Sequence, residues 1–265
     1  MTTHMNRYRM AAVLAATLGL AACEKNAVQS LPFEPPQASR IKFFNFGVNA
    51  PQVNFYADEV KMTAVLSGTG VEANTGVAYG SAGNGGAYLS IPPGSHSLTG
   101  RIAAATDKNL PIATVAATIA DGKFYSLYMS GFYNTTAKSS DAFVLEDPVA
   151  TPTDFTVASV RFVNAISNSA NPLNLYAKNT IGDTVTFIPL SAPVAYKGAG
   201  AFTTLPFGVY NLYARYTDST ANKITRTSVT LLPGLFYTIS AFGDITVTSS
   251  TAATRPQLDN TVNQR

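Results

Sequence analysis

Along most of this chain the apolar residues recur at every second position. Ile41 and Phe43 fall on one side of a short segment with Lys42 on the other, and Val160 and Phe162 flank Arg161 in the same way. His96-Ser97-Leu98 and Tyr210-Asn211-Leu212 alternate likewise, each just after a Pro-x-Gly turn. A period of two is that of a β-strand, whose side chains point alternately to the two faces of a sheet. The pattern therefore predicts antiparallel sheets with one face buried and the other solvated. Beyond position 22 no long stretch spaces its apolar residues as a helix requires.

The segments also repeat. Ile41-Lys42-Phe43-Phe44-Asn45 matches Val160-Arg161-Phe162-Val163-Asn164, and Val53-Asn54-Phe55-Tyr56-Ala57 matches Leu173-Asn174-Leu175-Tyr176-Ala177. Val77-Ala78-Tyr79 matches Val194-Ala195-Tyr196, and Ile91-Pro92-Pro93-Gly94 matches Leu205-Pro206-Phe207-Gly208. Gly122-Lys123-Phe124-Tyr125-Ser126 matches Gly234-Leu235-Phe236-Tyr237-Thr238. Blocks recurring in one order mark a duplication. The expected fold is all-β: two tandem immunoglobulin-like antiparallel β-sandwich domains, each with about six or seven strands. The boundaries expected are 38–145 for the first repeat, 146–155 for a linker with Pro148 and Pro152, 156–248 for the second repeat, and 249–265 for a polar C-terminal tail.

The first 22 positions follow a different pattern, that of an export signal. Arg7 and Arg9 precede an apolar run, Ala11 to Leu20, too short to span a bilayer as a stable helix. The run ends in Leu20-Ala21-Ala22-Cys23, which resembles the bacterial lipobox. The resemblance implies cleavage of a 1–22 signal peptide between Ala22 and Cys23 and lipidation of Cys23, the single cysteine of the chain. Each buried acyl methylene contributes about 0.8 kcal/mol, so the two or three chains of a lipobox cysteine hold firmly to a lipid bilayer. Residues 23–37, with Pro32, Pro35 and Pro36, read as a lipidated tether. Glu24 follows the cysteine instead of the aspartate that resembles an inner-membrane retention signal, which favours the outer membrane over the inner one. The predicted address is the cell envelope.

Composition narrows the chemistry. Setting aside Arg7 and Arg9, the 18 basic residues become 16 against 15 acidic ones, which leaves no electrostatic footprint for nucleic acid. His96 is the sole histidine after the leader, and its repeat counterpart Tyr210 argues for a half-buried strand position over a general base or a zinc ligand. Gly80-Ser81-Ala82-Gly83-Asn84-Gly85-Gly86 lacks the following helix and the Gly-Lys-Ser/Thr ending of a phosphate cradle, so it reads as a flexible loop between strands. Asp141, Glu146 and Asp147 lack the dense spacing of a calcium loop and read as a solvated linker. Tyr125 and Tyr237 begin strands after Gly-x-Phe, and alternation turns them inward with Leu127 and Ile239. Each hydroxyl is then expected to meet a backbone group near the preceding turn. No catalytic residue, metal ligand or cofactor-binding residue is expected.

The order Arg-Phe-x-Asn, x-Asn-x-Tyr, Leu-Pro-x-Gly and Gly-x-x-Tyr-x-x-x-x-Gly resembles the bacterial family called domain of unknown function 4397, over both repeats. The loop after the first strand departs from the acidic one usual there, with Phe46-Gly47-Val48-Asn49 and Ala165-Ile166-Ser167-Asn168 in its place. The resemblance implies an exported, immunoglobulin-like protein and transfers no catalytic residue. The function expected is that of a non-enzymatic binding or structural lipoprotein with a protein or glycan partner in the envelope. Its rivals are a surface carbohydrate-binding module, which an exposed planar row of tyrosines would favour, and a hydrolase, which a cleft of carboxylates would betray.

Overall fold

The computed structural model describes residues 39–63, 75–180 and 186–263. The leader, Ala22, Cys23 and the tether lie outside the described residues. The first sandwich comprises β1 (Arg40–Asn45), β2 (Val53–Ala57), β3 (Val60–Lys61), β4 (Ser81–Ala82), a 3-10 turn (Gly83–Gly86), β5 (Leu89–Ser90), β6 (Gly94–Ile102), β7 (Pro111–Ile119), β8 (Phe124–Asn134) and β9 (Ser139–Glu146). The second comprises β10 (Val157–Asn164), β11 (Leu173–Asn179), β12 (Ile188–Pro189), β13 (Thr203–Pro206), β14 (Gly208–Tyr216), β15 (Ile224–Leu231), β16 (Phe236–Phe242) and β17 (Gln257–Asn263).

Each sandwich has an inner and an outer sheet of matching order. The inner sheets run β4-β1-β8-β9, with β5 also on β1, and β13-β10-β16-β17; the outer ones run β3-β2-β6-β7 and β12-β11-β14-β15. The first core lies between its two sheets, with Phe43 stacked on Phe55 at 5.2 Å, and the second gathers Phe162, Leu175, Leu212 and Ile239. Inward positions follow the period of two.

Three expectations need correction. The ladders are antiparallel save one pair per sandwich: β1 runs parallel to β8 with Ile41 opposite Tyr125, and β10 parallel to β16 with Val160 opposite Tyr237. From β1 the chain passes to the outer sheet, returns antiparallel beside β1 at β4 and β5, and after β6 and β7 in the outer sheet re-enters the inner one at β8 in the direction of β1; β10, β13 and β16 repeat the path. The solvated face expected of the first strands is also absent, since Lys42 and Arg161 are each only 1% exposed. A third core explains this: Phe44, Phe46, Tyr128, Phe143, Val163 and Phe242 pack the two inner sheets against each other. Phe46 stacks on Phe242 across this joint at 4.3 Å. A strand covered on both faces has no reason to keep a polar side, and β1 is apolar at Ile41, Phe43 and Phe44 alike. Finally, 249–265 is not a tail. Within it β17 pairs with β16 from Phe236–Asn263 to Phe242–Gln257, and Leu258 closes the second core while Asn263 faces the joint.

Candidate functional site: the joint between the sandwiches

Of the charged side chains buried among the described residues, Lys42, Asp147 and Arg161 converge on this joint, and Arg215 lies apart on the outer sheet of the second sandwich. Arg161 donates from Nη2 to the Asp147 carboxylate, from Nη1 to the Glu146 carbonyl at 2.9 Å, and from Nε to Thr238 Oγ1 at 2.9 Å. Asp147 also accepts from Ser126 Oγ and from Tyr88 Oη, both at 2.6 Å. It is buried in the segment expected to be a solvated linker. Burial of that carboxylate is tolerable because a guanidinium and two hydroxyls surround it; an unpartnered charge there would cost several kcal/mol.

The same arrangement recurs with the sandwiches exchanged. Lys42 takes the place of Arg161 and donates to the Val262 carbonyl at 3.2 Å and to Asn263 Oδ1 at 2.6 Å. Val262 lies opposite Tyr237 as Glu146 lies opposite Tyr125, so Asn263 corresponds to Asp147. Asn263 in turn donates to Thr238 Oγ1 at 2.7 Å. Lys42 has an amide where Arg161 has a carboxylate, and burial pushes its ammonium down to about 8, with the Asp147 charge opposing and that of Arg161 adding to the shift. The Lys42 Nζ also sits 4.1 Å from the centre of the Tyr88 ring.

The Val-Ala-Tyr blocks complete the joint. Tyr79 packs edge-on against Phe242, while Tyr196 packs against Phe143 and lies 2.8 Å from Ser130 Oγ. Asp141 accepts from Tyr196 Oη and Lys197 Nζ, each at 2.9 Å, which ties the first sandwich to the second. Glu146 pairs with Lys123 at 3.0 Å. The three acidic residues thus serve separate contacts, and among the described residues no group of three His, Cys, Asp or Glu side chains could hold a metal ion.

The remaining sequence candidates are structural. Tyr125 and Tyr237 are buried, and each hydroxyl accepts a backbone N–H five residues earlier, Ala120 at 3.1 Å and Leu232 at 2.9 Å. Gly122 and Gly234 both adopt φ of +70° in the turn that makes this reach possible, where a side chain would be strained. His96 Nε2 lies 2.8 Å from the Pro92 carbonyl, as Tyr210 Oη donates to that of Pro206 at 2.8 Å, so the two aligned side chains occupy matching places. The other ring nitrogen of His96 lies 2.9 Å from Asp58 Oδ2. Asn45 and Asn164, the last residues of the first blocks, are buried and staple the loops beyond: their Nδ2 groups donate to the Val77 and Val194 carbonyls, and their Oδ1 atoms accept from Gly47 and Ile166 N–H.

The glycine-rich segment forms β4 and the 3-10 turn, and no helix follows it before β5. It walls one side of a groove of about 730 Å³ beside the joint, opposite Asp259, Asn260 and Thr261 of β17. Gly86 adopts φ of +82°, and a Cβ there would come within 3.1 Å of Thr261 Cγ2, so glycine lets the segment lie against the other sandwich. Burial holds the Asp259 carboxyl above its ordinary range, against the opposing hydrogen bond from Thr261.

The sequence signal for the joint was a basic residue at the same place in both first blocks. Alternation turned that residue away from its own core, which reads identically for a solvated face and for a face covered by a distant sheet.

Strand order, cores and joint define an all-β protein of two packed β-sandwiches. The model of the family described as a domain of unknown function (DUF4397) matches residues 39–176, just over half of the chain, and the chain belongs to that family. The match takes in the first sandwich and continues through β10 into β11. No curated protein matches the chain. Among solved structures it is similar to the Bacillus anthracis TIE protein, at 13% identity and a TM-score of 0.23, covering 78% of this chain but only 33% of that one. It is also similar to a family CBM26 module from Eubacterium rectale Amy13K, solved in complex with maltoheptaose, at 11% identity and a TM-score of 0.24, covering 86% of this chain and 96% of the other. At such TM-scores neither likeness carries an inference about what this chain does.

Proposed function

We propose that this chain is a lipid-anchored envelope protein in which two copies of the family's domain, locked into one body, act as a non-enzymatic binding or structural module. The observation that carries this reading is the joint. Its buried Lys42, Asp147 and Arg161 are spent on one another's surroundings and on backbone groups, which is what fixing two sandwiches together requires. The outer sheets, on the far sides of the two sandwiches, are left as the display surfaces, and the lipobox at Cys23 would tether them to a bilayer. Cells fed labelled palmitate test the anchor: the wild type should carry label and sediment with membranes, and Cys23→Ser should do neither. An unlabelled, soluble wild type would overturn it.

A second reading, surface carbohydrate binding, is favoured by one observation. Tyr176, Phe187 and Tyr213 cluster on the outer sheet of the second sandwich, with ring centres 5.1 to 6.5 Å apart. Their planes cross at 75° to 85°, so they make a ridge of edges and faces and not the flat row that stacks along a sugar chain.

A further inference from the structure

The two outer sheets carry an arginine at the same place, paired with a carboxylate in the first and not in the second. In the first sandwich, Asn54 and Tyr56 face outward from β2, and Arg101 lies opposite Asn54 on β6. The Arg101 guanidinium lies 4.4 Å from the centre of the Tyr56 ring and is closed off by Glu59, with Nη1 and Nη2 donating to the two carboxylate oxygens at 2.8 and 2.9 Å. In the second sandwich Asn174, Tyr176 and Arg215 hold the equivalent places on β11 and β14. The guanidinium of Arg215 lies 4.9 Å from the Tyr176 ring centre and 3.9 Å from that of Phe187, and its Nε donates to Asn222 Oδ1 at 2.7 Å. Arg215 is only 9% exposed, yet no carboxylate pairs with it among the described residues. Lys178, one alternation beyond Tyr176 on the same face, has no ion pair among the described residues either.

Arg161, the other arginine buried among the described residues, pairs with Asp147, and Arg101 at the equivalent place of the first outer sheet pairs with Glu59. A guanidinium held between aromatic rings, with a short amide contact at Nε, keeps its Nη edge pre-oriented for a planar bidentate acceptor. The half-buried rings beside it form the edge-on ridge that sugar C–H groups could lie along, and the outward amides Asn174 and Asn211 add hydrogen-bonding groups alongside. Cation, rings and amides together fit a saccharide that bears carboxylates.

We infer that the outer sheet of the second sandwich binds an acidic polysaccharide, with Arg215 pairing with a sugar carboxylate, the ridge of Tyr176 and Phe187 flanking the sugar and Lys178 attracting a neighbouring carboxylate. This rests on the carbohydrate reading above and gives it a ligand class and a place. It is independent of the lipid anchor, so failure here leaves the palmitate result standing.

Calorimetric titration of the full chain with hexagalacturonate tests it, with maltohexaose, hexaglutamate and a single-stranded DNA hexamer as probes of sugar, charge and nucleic acid alone. Hexagalacturonate should bind saturably at low salt and weaken as salt rises. Arg215→Gln should weaken binding about tenfold or more, the loss of one charge-assisted pair. Lys178→Gln should weaken it less and Arg101→Gln not at all. Glu59→Gln, which frees Arg101, should add a second, weaker site. Absence of hexagalacturonate binding overturns the inference, as does equal weakening by Arg101→Gln. Equal affinity for hexaglutamate or DNA overturns the saccharide assignment. Should Arg215→Gln fail to fold, the Lys178→Gln and Glu59→Gln titrations decide the matter alone.

Discussion

Lys42 and Arg161 occupy one position in the first strands of the two sandwiches, and both are driven into the joint with 1% of their surface exposed. Arg161 meets Asp147, whereas Lys42 meets the amide of Asn263. The difference follows from what each side chain can do when water is removed. A guanidinium stays charged at any pH a protein survives, and Arg161, sealed from water more completely than Arg215, is met by a counter-charge. An ammonium can give up its proton, and that of Lys42 is pushed down to about 8. One approximate symmetry thus contains two solutions to a buried cation, one by pairing with a carboxylate and one by neutral oxygen acceptors around an ammonium that loses its proton more readily.

Removing the carboxylate breaks the first solution outright. Asp147→Ala should destabilise the chain by about 3–5 kcal/mol, the usual cost of leaving a buried partner unpaired, in denaturant melts of the full protein. Combining it with Arg161→Met should recover much of that loss, since the uncompensated charge leaves with the arginine. A single-variant effect within about 0.5 kcal/mol would mean that water reaches the pair.

The second solution has a pH signature. With its folded value below the ordinary 10.5, Lys42 opposes folding wherever it is charged in the folded state. That penalty is complete below about 8, fades as pH rises from about 8 to 10.5, and is gone above, where both states are neutral. The stability difference between Lys42→Met and the wild type should therefore shift in favour of the wild type by up to roughly 3 kcal/mol across that window. A difference that stays level from pH 7 to 10 would show that Lys42 titrates normally.

Where the sandwiches agree, equal effects are expected. Tyr125→Phe and Tyr237→Phe should each cost about 1–2 kcal/mol by leaving the Ala120 or Leu232 N–H without its acceptor. Unequal costs would mean that the two corners are supported differently by the strands around them.

Much of the fold was open to inspection in the residues themselves. Alternation placed Phe43, Phe162, Tyr125 and Tyr237 inward, and the repeat alignment paired His96 with Tyr210, which the structure matches through the Pro92 and Pro206 carbonyls. The last strand was hidden because only Leu258 and Val262 give it an apolar side, while Asp259, Thr261 and Asn263 look solvated until the joint is seen. The groove has no signature in the sequence for a related reason: its two walls, Gly80–Gly86 and Asp259–Val262, lie far apart in the chain.

The strand period, the inward tyrosines and the turns that precede them are legible in the residues alone, because these depend on neighbours a few positions away. Long-range packing makes the outward face of β1 and β10 a third core, makes Asp147 the counter-charge of Arg161, and brings Lys42 to Asn263 more than two hundred positions along the chain. Alternation says which side chains share a face. It is silent on whether water or a distant sheet covers that face, and on that depends whether a charge there is hydrated or must find a partner.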